Sequence, residues 1–436
     1  MSISISGVVI GFAILFFLLL LSVPIAWSMI IAGISGFAIV AGIEKSIWAF
    51  NYTIWSVSSG DTLACLPLFL AMGLIAFDSG MLSTLFTMCG AFIGRLKGGL
   101  AISLSISCGL FGAISGSVAA TLATMAPVVT GEMGKYNYNK NFTAALLASS
   151  GTFASLIPPS ITMIIYGTLT ETSIAKLFMA GIVPGVLTIA IYCITTYIII
   201  RINPKIAPQE ALKTPWRKKG RLVLSNIPIG CTAFLILAGI YRGWFSPSEA
   251  GAIGLACILV IALALRKIGW KGILNSFKGS ARSTAMMVFL LIGGVFLFKI
   301  IVITGTGVAA SEFVSNLGLG KYGLIVAVYI LFLITGCFID AMSMMIISLP
   351  ILVPVVVASG WDPVWFGVFV VKGLEIAVIT PPMGLNVFIV DGVVHDKDVS
   401  STSIFRYVFP FVLADTVVIA LITAFPSICL WIPGTM

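Results

Sequence analysis

Two adjacent prolines, Pro158-Pro159, stand inside an otherwise apolar stretch, Gly109 to Tyr166, and constrain this chain more than any other feature. The same stretch holds a run of small and hydroxyl residues, Ser115-Gly116-Ser117-Val118-Ala119-Ala120-Thr121. Proline removes a helix hydrogen bond and clashes with the preceding turn, so such a stretch is a broken helix with free backbone N–H and C=O groups. At membrane depth, broken backbone is tolerated only where it is buried in protein or lines a cavity. The stretch therefore reads as half of a binding site, and a second stretch near residues 332–392 is expected as its partner.

That the surroundings are a membrane follows from composition. Of 436 residues, 59% are hydrophobic and 9% are charged, with a mean hydropathy of +1.16. A soluble domain carries about 25% charged residues. The chain reads as an all-α polytopic membrane protein, long enough for roughly ten spans of ~20 residues. The net charge of +9 does not point to nucleic acid, because the basic residues lie in short loops between apolar runs. That is the pattern by which loops orient a chain in the bilayer. The first apolar run lacks a basic leader, so it is expected to be retained as a span rather than cleaved.

Nothing in the sequence resembles an enzyme constellation, and a membrane-embedded enzyme is the least favoured reading. There is no HExxH, no Walker loop and no GxSxG. The one histidine, His395, sits in a polar loop beside Asp396 and Lys397. The eight cysteines are scattered singly and read as small core residues. Without a Walker loop, work must be drawn from an ion gradient or from another subunit.

Along the chain, apolar runs at about 4–21 and 25–43 read as spans. Residues 44–60, with Trp48, Tyr52 and Trp55, read as an interfacial segment. A long run at about 62–94 is interrupted at Asp78; Asp61 marks a helix start. A span at about 176–200 follows the opening stretch. Residues 201–221 hold seven Lys/Arg and three Pro, and read as a basic cytoplasmic linker between halves 1–200 and 222–436. The second half is expected to have spans at about 222–241, 250–265, 283–303 and 403–425, with a polar turn at Ser311 to Lys321.

The prolines reveal a repeat. Pro127 and Pro158 are 31 residues apart, as are Pro350 and Pro381, and the two pairs are offset by 223. Pro159 falls on Pro382 in the same register, and Ser115-Gly116-Ser117 falls on Phe338-Ile339-Asp340. If 98–130 and 323–355 are re-entrant helical hairpins, each half has about five crossings. An odd number makes the two repeats inverted, each with a broken helix (about 141–168 and 364–395). Inverted repeats with broken helices are a mark of secondary transporters.

Half-helix N-termini present N–H groups suited to a carboxylate, and half-helix C-termini present carbonyls suited to sodium. Ser115, Ser117, Thr121, Thr152, Ser160, Thr380 and Asn386 add neutral polar groups, and glycines at 112, 116, 151, 336 and 384 allow close backbone approach. Small residues and hydroxyls also pack helices together, and that alternative stays open. Asp340, near the second hairpin tip, can serve a cation or a proton. Lys372 and Glu375, three apart on one helical face, can pair as a structural ion pair. Lys299, near the outer end of its span, is expected to reach toward the interface.

Three segments carry a family resemblance: FGAISGSVAATLATMAP, LIPPSITMIIYG with AGIVPG behind it, and GWDPVWFGVFVVKGLEIAVITPPMGLNVF. With LPLFLAMGLI before them, they resemble the large membrane subunit of TRAP (tripartite ATP-independent periplasmic) transporters. The resemblance covers nearly the whole chain. It implies an ion-transporter fold with a scaffold and an elevator-type transport domain. It further implies sodium-coupled import of a small organic acid, such as sialic acid or a C4-dicarboxylate, across the bacterial inner membrane, with the N-terminus periplasmic. Implied partners are a small four-helix membrane subunit and a periplasmic substrate-binding protein. Sodium is expected around Ser115, Gly116, Ser117, Thr152, Pro158, Gly336, Asp340, Val378, Thr380, Pro381 and Gly384. Substrate is expected around Ser117, Thr121, Ser160, Asp340 and Asn386. The chain departs from the family pattern at Lys372, where asparagine is usual, and at Ala154 and Gly131. Rival readings are a stand-alone sodium/dicarboxylate symporter of the same fold, and a channel or structural membrane subunit.

Overall fold

The computed structural model describes residues 2–436 apart from Leu82, residues 208–213, Cys337, Met383 and residues 395–398. His395, Asp396, Lys397, Cys337 and the middle of the basic linker thus lie outside the described residues. Every regular element among the described residues is a helix. Among the described residues, six helices are long and apolar enough to cross a membrane: Ile174–Ile202, Trp216–Tyr241, Pro247–Ala264, Trp270–Thr304, Ala341–Ala358 and Ser401–Ala424. Lys140–Leu156 and Ile161–Thr170 are long and apolar enough only when taken together, and are bent by 44° at the break between them. The protein is an all-α polytopic membrane protein.

The bend has a local cause. Asn139 caps Lys140–Ser150, its side chain accepting from Phe142 N. The chain continues through Phe153–Leu156 to Pro158-Pro159, where consecutive residues without N–H cannot extend a helix. Ser160 then starts Ile161–Thr170 afresh, its hydroxyl accepting from Met163 N at 3.2 Å. The second half does the same with Pro363–Ala377 and Leu385–Val394 on either side of Pro381-Pro382. Both Pro-Pro bonds are cis.

The repeat seen in the prolines recurs in the helices. Ser83–Ile93 and Thr306–Asn316 begin and end 223 residues apart, as do Val118–Lys135 and Ala341–Ala358. Ser311 to Lys321, expected as a polar turn, is instead helical as far as Asn316 and again from Gly320, so the turn is confined to residues 317–319. The run at 62–94 is two helices, Cys65–Asp78 and Ser83–Ile93, broken where Asp78 was noted. The span placed at 283–303 begins earlier, at Trp270. Its 35 residues reach about 50 Å at 1.5 Å each, beyond the ~30 Å hydrocarbon core. Lys271, Lys278 and Arg282 are exposed along the extra turns.

Each hairpin tip sits on the broken helix of its own half. Gly116, between Gly99–Ser115 and Val118–Lys135, has φ +58°, and its carbonyl accepts from Ile161 N just after the Pro-Pro break. A Cβ there would lie 2.6 Å from Pro159 O, so only glycine lets the tip meet the break. In the second half Gly336 packs against Ala377 of the broken helix, as Gly112 packs against Ala154 in the first. The two broken helices then face each other: Ser155 Oγ lies 2.8 Å from Glu375 Oε1, and Asn386 Nδ2 lies 3.4 Å from Ala148 O.

Candidate functional site

A cavity of about 230 Å³ lies where the hairpin tips and breaks converge. Four helices begin at its wall. Val118 and Ala119 open the second arm of the first hairpin, and Ile161 and Thr162 open the helix after the first break. Ala341 and Met342, then Leu385 and Asn386, are their counterparts in the second half. Each helix N-terminus leaves backbone N–H groups free of helical partners and carries about half a positive charge. Four of them around one volume make it attractive to an anion.

The caps of the two hairpin arms are repeat mates. Ser117 accepts from Ala120 N at 3.4 Å. Asp340, 223 residues later, accepts from Ser343 N at 3.1 Å and from Ser343 Oγ at 2.6 Å. One wall thus has a neutral cap and the facing wall an anionic one. The lining is mostly apolar apart from Ser117, Thr152, Ser155, Thr162, Asp340, Glu375 and Asn386.

Of the residues expected at the site, Gly116, Ser117, Thr152, Asp340, Val378 and Asn386 line the cavity. Ser115 and Thr121 lie behind the first tip, with Thr121 Oγ1 donating to Ser117 O at 2.8 Å and standing 3.2 Å from Ser115 Oγ. Ser160 is fully buried and its hydroxyl donates to Ser155 O. Thr380 Oγ1 donates to Ile376 O at 2.6 Å. Pro158, Pro381, Gly336 and Gly384 shape the breaks and tips rather than the cavity wall. Among the described residues, no group of three His, Cys, Asp or Glu could hold a metal ion, and the oxygens at the cavity wall are hydroxyls, backbone carbonyls and the single carboxyls of Asp340 and Glu375.

Behind the wall is a charge cluster that sequence reasoning saw only in part. Lys372 Nζ lies 2.7 Å from Glu375 Oε2, the pairing that their spacing allows. It also lies 2.7 Å from Asp415 Oδ1, and Tyr192 donates to Asp415 Oδ2 at 2.7 Å. Lys372 and Asp415 are 0% exposed and Glu375 is 2% exposed. Asp415 was missed, although a lone acid within an apolar span is a functional signal. Ser155 was missed because one serine among many small residues carries no signal. Lys299, by contrast, donates to Thr53 Oγ1 at 2.7 Å and lies over the Tyr52 ring near the end of its helix.

Comparison with known proteins places these features in a family. Residues 12–428 match the family described as "Tripartite ATP-independent periplasmic transporter, DctM component". The chain is 31% identical over 404 residues to the C4-dicarboxylate TRAP transporter large permease protein DctM of Pseudomonas aeruginosa, covering 92% of this chain and 93% of that protein. It is 32% identical over 423 residues to the ectoine TRAP transporter large permease protein TeaC of Halomonas elongata, covering 95% and 96%. Among solved structures, the YdaH transporter of Alcanivorax borkumensis aligns with a TM-score of 0.64 over 90% of this chain and 89% of that one, at 14% identity. That likeness is one of fold.

Proposed function

The chain belongs to the DctM-component family of tripartite ATP-independent periplasmic transporters, and from that premise we propose that it is the large permease importing a small organic acid with sodium. The observation that carries the reading is the convergence of four helix N-termini on one cavity between the two broken helices. Such a cavity suits a carboxylate, and the carbonyls and hydroxyls of the hairpin tips suit sodium.

The physics of coupling follows from charge. An anion alone at membrane depth is costly, and so is an unoccupied site lined by Asp340 and helix ends. Sodium bound beside Asp340 and the carboxylate offsets part of their negative charge, which lowers the cost of carrying the loaded site through the low-dielectric layer. Because the tips and breaks of both halves pack into one unit, the movement we propose is an elevator. The hairpins and broken helices travel together against a scaffold of outer helices.

In this reading the halves 1–200 and 222–436 are inverted repeats joined by the cytoplasmic linker 201–221. The protein lies in the bacterial inner membrane with its N-terminus outside. A small four-helix membrane subunit completes the scaffold, and a periplasmic binding protein delivers the substrate. The test is uptake by the chain reconstituted with candidate partners. Uptake that requires the binding protein supports the tripartite assignment; equal uptake without it favours a stand-alone symporter.

A further inference from the structure

Ser155 has one hydroxyl hydrogen and two acceptors for it. Its Oγ lies 2.7 Å from Thr152 O and 2.8 Å from Glu375 Oε1. A carbonyl can only accept, and an ionised carboxylate can only accept. If Ser155 donates to Thr152 O, the contact with Glu375 Oε1 lacks a hydrogen. A proton on Glu375 supplies it, with Oε1–H donating to Ser155 Oγ.

Charge counting points the same way. The cluster holds one ammonium, Lys372, and two carboxyls, Glu375 and Asp415, all deeply buried. With both carboxyls ionised it carries one uncompensated negative charge, at a heavy desolvation cost. Asp415 is the ionised member: one oxygen faces Lys372 Nζ and the other accepts from Tyr192. Glu375 faces Lys372 through Oε2 alone, and its Oε1 has only Ser155. A single proton on Glu375 therefore neutralises the cluster and completes its hydrogen bonds.

We propose that Glu375 is a proton-binding site in the wall of the transport cavity, loaded when the cavity opens to water. The other titratable groups around it are Lys372 on its own helix, Asp415 on Ser401–Ala424, Tyr192 on Ile174–Ile202 and Tyr329 on Gly320–Thr335. Asp340 stands at the same cavity, and Tyr166, bonded to Pro363 O, marks the far end of the Glu375 helix. Only Glu375 is both part of the cluster and part of the lining. Loading is a simple transfer: hydronium in the open cavity gives its proton, the Oε1–H bond forms, and water leaves. The proton's role in transport rests on the sodium-coupled reading above, but its binding does not.

The test is infrared spectroscopy of the purified chain in lipid nanodiscs at neutral pH, without sodium or substrate. The carbonyl stretch of a protonated carboxyl is expected in the wild type, absent in Glu375→Gln, and present but shifted in Ser155→Ala. Glu375→Gln mimics the protonated acid, because its amide can donate to Ser155 and accept from Lys372. It is therefore expected to melt at the wild-type temperature. Identical spectra for wild type and Glu375→Gln overturn the proposal, and so does a Glu375→Gln chain that unfolds or melts far lower, since that outcome requires an ionised Glu375. The spectrum is indifferent to sodium coupling, so a failure of that coupling leaves this result standing.

Discussion

Tyr192 and Asp415, 223 residues apart, are joined by a hydrogen bond of 2.7 Å. The spacing is the offset that relates the prolines of the two halves. Equivalent residues of two repeats touch only where the operation relating the repeats brings them together, as on a two-fold axis. The pair therefore lies where the two repeats meet, with Ile174–Ile202 packed on Ser401–Ala424. Lys372 meets the same carboxylate, so the charge cluster sits at this junction and is buried there.

Tyr192→Phe removes one donor to a buried carboxylate and leaves the ring packing with Phe153 and Phe411 intact. A loss of about 2 kcal/mol is expected. Asp415→Asn breaks the buried ion pair with Lys372 and is expected to cost more than the tyrosine change, with Glu375 left to ionise as the counter-charge of Lys372. Melting of the purified variants in detergent checks the order. Equal stability of Asp415→Asn and wild type would mean that the charge at the junction is not structural.

Two glycines of one hairpin should respond to alanine with opposite signs. At Gly116 the positive φ alone costs about 1–2 kcal/mol, and the added Cβ collides with Pro159 O, so Gly116→Ala should lower both melting temperature and uptake. At Gly131, exposed in the helix Val118–Lys135, nothing lies within 4 Å of an added Cβ. Gly131→Ala should stabilise by about 0.5–1 kcal/mol. The same melting series reads both.

Ser117→Ala removes the cap of a helix that begins at the cavity, and Thr380→Ala removes a hydroxyl beside the second break. Losing a cap costs about 1 kcal/mol. The sodium concentration for half-maximal uptake is expected to rise several-fold in each variant. An unchanged sodium dependence in both would remove the sodium site from these positions.

Much of this arrangement was legible because prolines and small residues inside apolar sequence have few physical readings. Pro127, Pro158, Pro350 and Pro381 carried the repeat without any structure. The Ser117 and Asp340 caps follow from the same register, since each opens a helix at a hairpin tip. What stayed hidden depends on long-range packing. Nothing local joins Asp415 to Lys372, or Ser155 to Glu375 across 220 residues. The early start of Trp270–Thr304 was hidden for a different reason: Lys271, Lys278 and Arg282 precede the apolar run that set the span at 283–303, yet basic side chains on one exposed helical face are compatible with helix.

The central claim is that an ion gradient drives an organic acid through the cavity between the broken helices. The direct measurement is uptake of a radiolabelled organic acid into proteoliposomes holding the chain and its candidate small subunit, with binding protein outside and a sodium gradient imposed. The account predicts accumulation that requires both the gradient and the binding protein. Accumulation that persists after the sodium gradient is collapsed would contradict it.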